Sequence, residues 1–294
     1  MTLMASYPGF QPPLSLRSCT NYYMTGSYPR QMPRGIKLPP LYARMRAHVP
    51  RVLYLNFVAK RTFVDQLASD CFQPVPLTVD PAATLFTVLL FELEHARPRW
   101  APRVLGKLSP TIRQSNWRFY GTLTSLPEGD RPGVFFWRTV TDSRALNWFG
   151  LNLARCFPLR RAERMSIRRS DAAVEARIEP GRGQAPALAF HGRITPDSDV
   201  PPQFSGQFRS FLDYARWIVD QHLSLTAWPH EAVIQTMHLE MSAARFMAVE
   251  TEAIAIPVLK EFVEAPVTPL SCFLAEGLEV YLDSIRALPR AGNA

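Results

Sequence analysis

Two stretches of this 294-residue chain are apolar at nearly every position: Val52-Leu-Tyr-Leu-Asn-Phe-Val-Ala59 after Arg51, and Leu85-Phe-Thr-Val-Leu-Leu-Phe91 after Thr84. Both have strand character and are too apolar to be edge strands. Between them Phe63, Leu67 and Cys71 recur at helical spacing behind a Thr62 cap, and Gln73-Pro-Val-Pro76 stops the helix. Further strands are predicted over 117–124, 133–140, 165–169, 173–178, 187–193, 233–241 and 278–282. Two more helices are predicted: one from Ser143 to Ala154, capped by Asp142 or Ser143, and one from Gln207 to Ala215 with Phe208, Phe211, Leu212 and Ala215 on one face. Many strands and few helices point to a barrel or sandwich, an α+β chain of mainly antiparallel sheet. Residues 1–45 break every period with prolines such as Pro8, Pro12, Pro13, Pro29 and Pro33, so they read as an arm before a single domain over 46–290.

Composition narrows the chemistry. The formal net charge is +8 and the pI about 9.6, a balance that favours anionic partners. The bias is arginine: the lysines are Lys37, Lys60, Lys107 and Lys260. The four cysteines are scattered with no C-x-x-C pair, which suggests neither a zinc site nor a disulfide framework and fits a reducing, cytoplasmic setting. No apolar run is long enough to span a bilayer as a helix. Dinucleotide, P-loop, nucleophile-elbow and H-E-x-x-H motifs are missing, so no cofactor and no metal is expected.

Three features carry alternative chemistry. His222, His230 and His238 recur every eight residues, but through mixed turn and strand, which does not direct them to one metal. Glu92 and Glu94 share a strand face, as an acid-base pair or as solvated carboxylates. The run Arg155, Arg160, Arg161, Arg164, Arg168 and Arg169 reads either as an anion surface or as a solvated strand face; nucleic-acid binding rests on this charge alone and meets no motif.

The order of local motifs resembles a known family. Pro50-Arg-Val-Leu-Tyr-Leu-Asn-Phe57, the helix ending at Phe72-Gln-Pro-Val-Pro-Leu77, and Gly133-Val-Phe-Phe-Trp137 are followed by Ser143-Arg-Ala-Leu-Asn-Trp-Phe-Gly150. Then come Cys156-Phe-Pro-Leu-Arg-Arg-Ala-Glu-Arg-Met165 and Pro269-Leu-Ser-Cys-Phe-Leu-Ala-Glu-Gly-Leu-Glu-Val-Tyr281. Across about residues 48–285 this is similar to the YqjF-like family, a domain of unknown function in the acetoacetate decarboxylase-like superfamily. The resemblance implies a conical, largely antiparallel β-barrel with flanking helices around a pocket. It also implies a Schiff-base lysine after the aromatic-Pro turn, where this chain has Leu159 followed by Arg160. Arginine stays protonated and forms no imine. The family's pocket carboxylate falls near Arg113-Gln-Ser-Asn116, where Gln114 stands, and its substrate-binding arginine matches Arg51. The expected site is therefore Gln114 and Arg160 as catalytic residues with Arg51, Trp117 and Arg161 binding substrate.

The functional expectation is a lyase or cyclase-type enzyme of specialised metabolism that works without a covalent lysine intermediate on a small organic acid or carbonyl compound. The alternative is a catalytically inactive small-ligand-binding protein. Homo-oligomerisation is left open. Because the arm offers no regular apolar period, a chain beginning at residue 41 is expected to melt within a degree or two of the full chain in calorimetry; a drop of many degrees would show the arm packs on the domain.

Overall fold

The computed structural model describes residues 44–68, 71–124, 126, 129–149, 159–182, 185–196, 198–227, 231–241, 244–263 and 267–289. Five long strands form the centre: β1 (Met45–Lys60), β3 (Ala83–Pro98), β4 (Ile112–Leu123), β5 (Arg131–Thr141) and β13 (Ser271–Pro289). β2 (Phe72–Pro74) and β6 (Leu159–Arg161) are short ribbons beside β4 and β5. β7 (Arg164–Arg169), β8 (Ala173–Glu179), β9 (Leu188–Thr195) and β12 (Arg245–Ala255) make one wing, and β10 (Leu223–Ala227) with β11 (Glu231–Glu240) makes another. The helices are α1 (Arg61–Ala68), α2 (Arg103–Lys107), α3 (Arg144–Phe149) and α4 (Phe211–Val219). No described helix is long and apolar enough to cross a membrane.

Pairing is antiparallel except for β5–β10 and β5–β6, and the path β1-β3-β4-β5-β10-β11-β13 returns to β1, because β1 lies between β3 and β13. β13 serves both wings. Its residues 273–276 pair with β12 and its residues 279–289 with β11. The change of neighbour falls at Gly277, whose φ of 76° is a backbone state that a Cβ disfavours.

The apolar runs arise because the central strands are buried on both faces. Leu53, Leu55 and Phe57 of β1, Phe86 and Val88 of β3, and Trp117 and Phe119 of β4 pack with Ile167, Ala176, Ile178 and Phe190 of the β7–β9 wing. Alternate residues turn the other way: Val52 and Tyr54, Leu85 and Leu89, Tyr120, Phe136 and Phe273 pack against Tyr214, Ala215 and Ile218 of α4. The sheet thus has a wing face and an α4 face. The wing face holds an aromatic knot in which Phe63 stacks on Phe262 at 4.4 Å and Phe86 lies 4.7 Å from Phe119.

Several predicted elements shift. The helix expected over 207–215 instead runs over Phe211–Val219, because the Ser210 hydroxyl accepts from the Asp213 N–H at 3.1 Å and so sets its start; Leu212 is exposed. Ser143 caps α3, accepting from the Leu146 N–H at 3.2 Å, and the remainder of that expected helix, together with the Cys156-Phe157-Pro158 turn, lies outside the described residues. β10 and β12 have no counterpart among the expected strands. β10 is five residues long, and β12 carries a register shift between Thr251 and Ala253 that breaks its period of two.

Gly121 of β4 faces Gly133 of β5, and a Cβ on Gly121 would lie 2.2 Å from the Gln73 carbonyl oxygen of β2. Gly121→Ala is expected to destabilise the fold by about 2 kcal/mol in urea unfolding, since the obstruction is backbone rather than a side chain able to turn away.

Candidate functional site

The residues singled out in the sequence fall on different faces. Gln114 sits opposite Phe91 and Thr141, and Asn116 opposite Leu89 and Thr139, on the α4 face. Thr139 in turn pairs with Leu159, which is fully buried. Gln114, Asn116, Thr139, Thr141 and Leu159 therefore form one patch across β4, β5 and β6, with Gln114 Nε2 donating to Asn116 Oδ1 at 2.8 Å. Arg161, exposed, stands beside Thr141 at the end of the same patch. Gln114, Thr139 and Thr141 are buried, and Thr139 Oγ1 has no hydrogen-bond partner among the described residues.

Arg51 turns the other way. Its neighbour Val52 belongs to the α4 face, so the arginine points to the opposite side of β1, where its Nε lies 3.8 Å from Glu92 and its side chain is about a third exposed (32%). Glu92 is shared with Arg113 at 3.3 Å, and Arg113 reaches Asp142 at 3.4 Å. Arg169 and Glu276, 3.2 Å apart, stand beside this chain of charges, Glu276 being the cross-strand neighbour of Arg51. Arg160 pairs with Val140 and so also faces away from Gln114. Trp117 is fully buried in the wing-face core, its Nε1 donating to Ser115 Oγ at 3.0 Å. The sheet thus separates Arg51, Arg160 and Trp117 from Gln114, and the common cavity expected for them is not formed. Glu92 and Glu94 share the face of β3 opposite Phe91 and Leu93, but Glu92 is held by two arginines, and Glu94 is the cross-strand neighbour of His48. His222 pairs with Asp220 at 3.3 Å; His230 and the side chain of His238 lie outside the described residues.

Sequence reasoning missed a second set of polar residues on the α4 face. Thr87 Oγ1 donates to Asn56 Oδ1 at 2.6 Å, Asn56 Nδ2 donates to Ser271 Oγ at 3.0 Å, and Ser271 Oγ shares a hydrogen bond of 2.9 Å with the Tyr214 hydroxyl of α4. Arg118 Nε and Nη2 donate to the Tyr120 hydroxyl at 3.1 and 2.9 Å, and both Nη2 and that hydroxyl donate to the Ile218 carbonyl, at 2.8 and 3.1 Å. α4 is thereby tied to the strands near both of its ends. Part of the signal for this set was visible in the sequence: Asn56 and Thr87 each interrupt an apolar run, and Arg118 stands among the aromatic residues Trp117, Phe119 and Tyr120. Burial pushes the Tyr214 and Tyr54 phenols well above their ordinary pKa, so both remain protonated donors.

Beyond Tyr120 the α4 face opens into a groove of 620 Å³ lined by residues including Arg61, Val75, Tyr120, Arg131, Trp217 and His222. Trp217 stacks on Tyr120 at 5.5 Å.

A buried hydroxyl without a partner costs stability. Thr139→Val keeps the shape and removes that hydroxyl, and is expected to raise the unfolding free energy of the ligand-free protein by about 1 kcal/mol in chemical denaturation; an equal loss would show that Oγ1 is satisfied.

No family model matches the chain, and no curated protein matches it. Solved structures do. An acetoacetate decarboxylase-like enzyme from Sphingomonas wittichii RW1 superposes with TM-score 0.51 at 11% identity, over 84% of this chain and 94% of that one. The enduracididine biosynthesis enzyme MppR, complexed with pyruvate, gives TM-score 0.51 at 10% identity over 90% and 93%, and an acetoacetate decarboxylase gives 0.51 at 10% over 90% and 97%. At these identities the likeness speaks to architecture, and the chain has the acetoacetate decarboxylase-like fold.

Proposed function

We propose that this chain is an acetoacetate decarboxylase-like pocket protein of the YqjF-like kind, a lyase or cyclase-type enzyme acting on a small carboxylate- or carbonyl-bearing compound without a lysine imine. In this reading the returning circuit of strands is the wall of a conical barrel and the α4 face is its inside. The observation that carries it is the patch of Gln114, Asn116, Thr139 and Thr141 gathered around Leu159, the position where the resemblance implies the Schiff-base lysine.

The chemistry follows from what the patch holds. Lys60, Lys107 and Lys260, the lysines among the described residues, are all exposed, so none offers the amine for an imine there. Amide N–H groups and hydroxyls are neutral donors, suited to an enolate or oxyanion that develops during reaction in a site sheltered from water. Gln114 supplies such a donor, and Arg161 a cation at the edge. Arg51, Arg160 and Trp117, on the far side of the sheet, support the strands that present these groups. MppR, an enzyme of the same fold, is known with pyruvate, which makes 2-oxo acids the first ligands to try. A second reading, binding without turnover, is favoured by one observation: the implied nucleophile and the implied carboxylate are both replaced, by Leu159 and Gln114.

Borohydride treatment with pyruvate or acetoacetate is expected to leave the mass of the protein unchanged. A stoichiometric adduct on Lys60 or Lys107 would overturn the imine-free mechanism. In the same preparations Gln114→Leu is expected to weaken pyruvate binding about tenfold or more, the effect of losing one well-placed donor in a dry site.

A further inference from the structure

We infer that Arg118 is the anchor for the ligand's carboxylate, reached from the groove beside Tyr120. The inference deepens the pocket reading above and rests on it. Arg118 was not among the residues that the sequence singled out, and it lies on the same face of β4 as Gln114, four residues along.

Among the described residues Arg118 is the only buried charged side chain, at 5% exposure. A guanidinium does not shed its proton to escape burial, so its charge has to be met where it is. The partners that the fold supplies are neutral: the Tyr120 hydroxyl, the Ile218 carbonyl, and the Tyr120 ring, whose centroid lies 5.1 Å from Cζ. These use Nε and both N–H groups of Nη2. Nη1, with two N–H groups, has no hydrogen-bond partner among the described residues.

The immediate neighbours add no counter-charge. Thr87, across from Arg118 on β3, has its hydroxyl proton on Asn56, and Phe136 stands across on β5. Tyr54 lies within the field of Arg118 and stays protonated. A single fixed cation bordered by neutral hydroxyls fits a monoanion, and the planar guanidinium fits a carboxylate best.

The groove supplies the route. Arg118 does not itself line the groove; it lies behind Tyr120, which accepts its hydrogen bonds and forms part of the groove wall, and Arg61, Arg131 and His222 sit at the same opening against the single carboxylate of Asp220. Its 620 Å³ is ample for a compound of pyruvate or acetoacetate size.

The competing role is purely structural: Arg118 pins α4 through the Ile218 carbonyl. Titration calorimetry on the full chain separates the two, using sodium pyruvate, sodium acetoacetate and the uncharged ketone hydroxyacetone at constant ionic strength. The wild type is expected to bind the two carboxylates more tightly than the ketone. Arg118→Gln is expected to lose about thirtyfold or more in affinity for the carboxylates and little for the ketone. If Arg118→Gln does not fold, Arg118→Lys keeps the charge without the fork and is expected to lose about tenfold for the carboxylates alone. A structural clamp would lower the melting temperature of either variant and leave this preference intact, so unchanged carboxylate affinity in a folded variant overturns the assignment while the pocket stands. A wild type that binds none of the three compounds overturns the pocket reading and the anchor with it.

Discussion

Burial of the central strands on both faces is the constraint from which the rest of the structure follows. A strand covered on one side can alternate apolar and polar residues, but β1, β3, β4, β5 and β13 must satisfy two cores at once, the wing on one side and α4 on the other. Each polar residue admitted to such a strand loses water and needs a partner from another element. Asn56, Thr87 and Ser271 find theirs in one another and in Tyr214, so the same bonds that satisfy the strands also fix the helix. The position of α4 is set by this polar chain as much as by the packing of Ile218 and Ala215.

The distribution of charge obeys the same logic. Arg51, Glu92, Arg113 and Asp142 occur where β1, β3 and β4 run out from under the wing, with side chains 15 to 39% exposed and separations of 3.3 to 3.8 Å. Pairs of this kind are screened by solvent and contribute up to about 1 kcal/mol each, enough to order the strand ends but not to hold the fold. Arg118 is different in kind, since its charge is buried among neutral groups. An arrangement of that sort is costly for a ligand-free protein and advantageous for one that receives an anion, because the desolvation has already been met in folding.

The legible part of the fold was the part dictated by this two-sided burial. The runs at 51–59 and 84–93 read as strands too apolar to lie at an edge, and β1 and β3 extend those same runs. What could not be read was anything that depended on a long-range partner. β6 is three residues whose strand character depends on β5 lying beside them, and β10, five residues long, pairs in parallel with β5 as well as antiparallel with β11. The site suffered from the same limit. Motif order drew attention to Gln114 and to position 159, and the adjacency of β4, β5 and β6 brings these two into one patch. It could not say on which side of β1 Arg51 falls, because the register shift between His48 and Val52 changes the parity of that strand just before the arginine. A single bulge turns a residue from one face to the other, and no local pattern reports it.

In the proposed reading, leucine at position 159 in place of an amine does more than delete a nucleophile. In an imine mechanism the lysine needs a neighbouring cation to lower its pKa, so cation and amine constrain each other's placement. With Leu159 in that position the constraint is lifted, and positive charge can move to where it binds the anion best. Among the described residues the one buried cation, Arg118, lies on β4, bonded to a tyrosine hydroxyl and a helix carbonyl. Neutral amides and hydroxyls occupy the space around Leu159. In the proposed reading such a site would divide the work, with charge for holding the substrate at one end and uncharged donors for a developing oxyanion at the other. That division suits chemistry in which negative charge passes from a carboxylate or a C–H bond to an adjacent carbonyl oxygen, and it does so whether the reaction is completed or the pocket serves only to retain the compound.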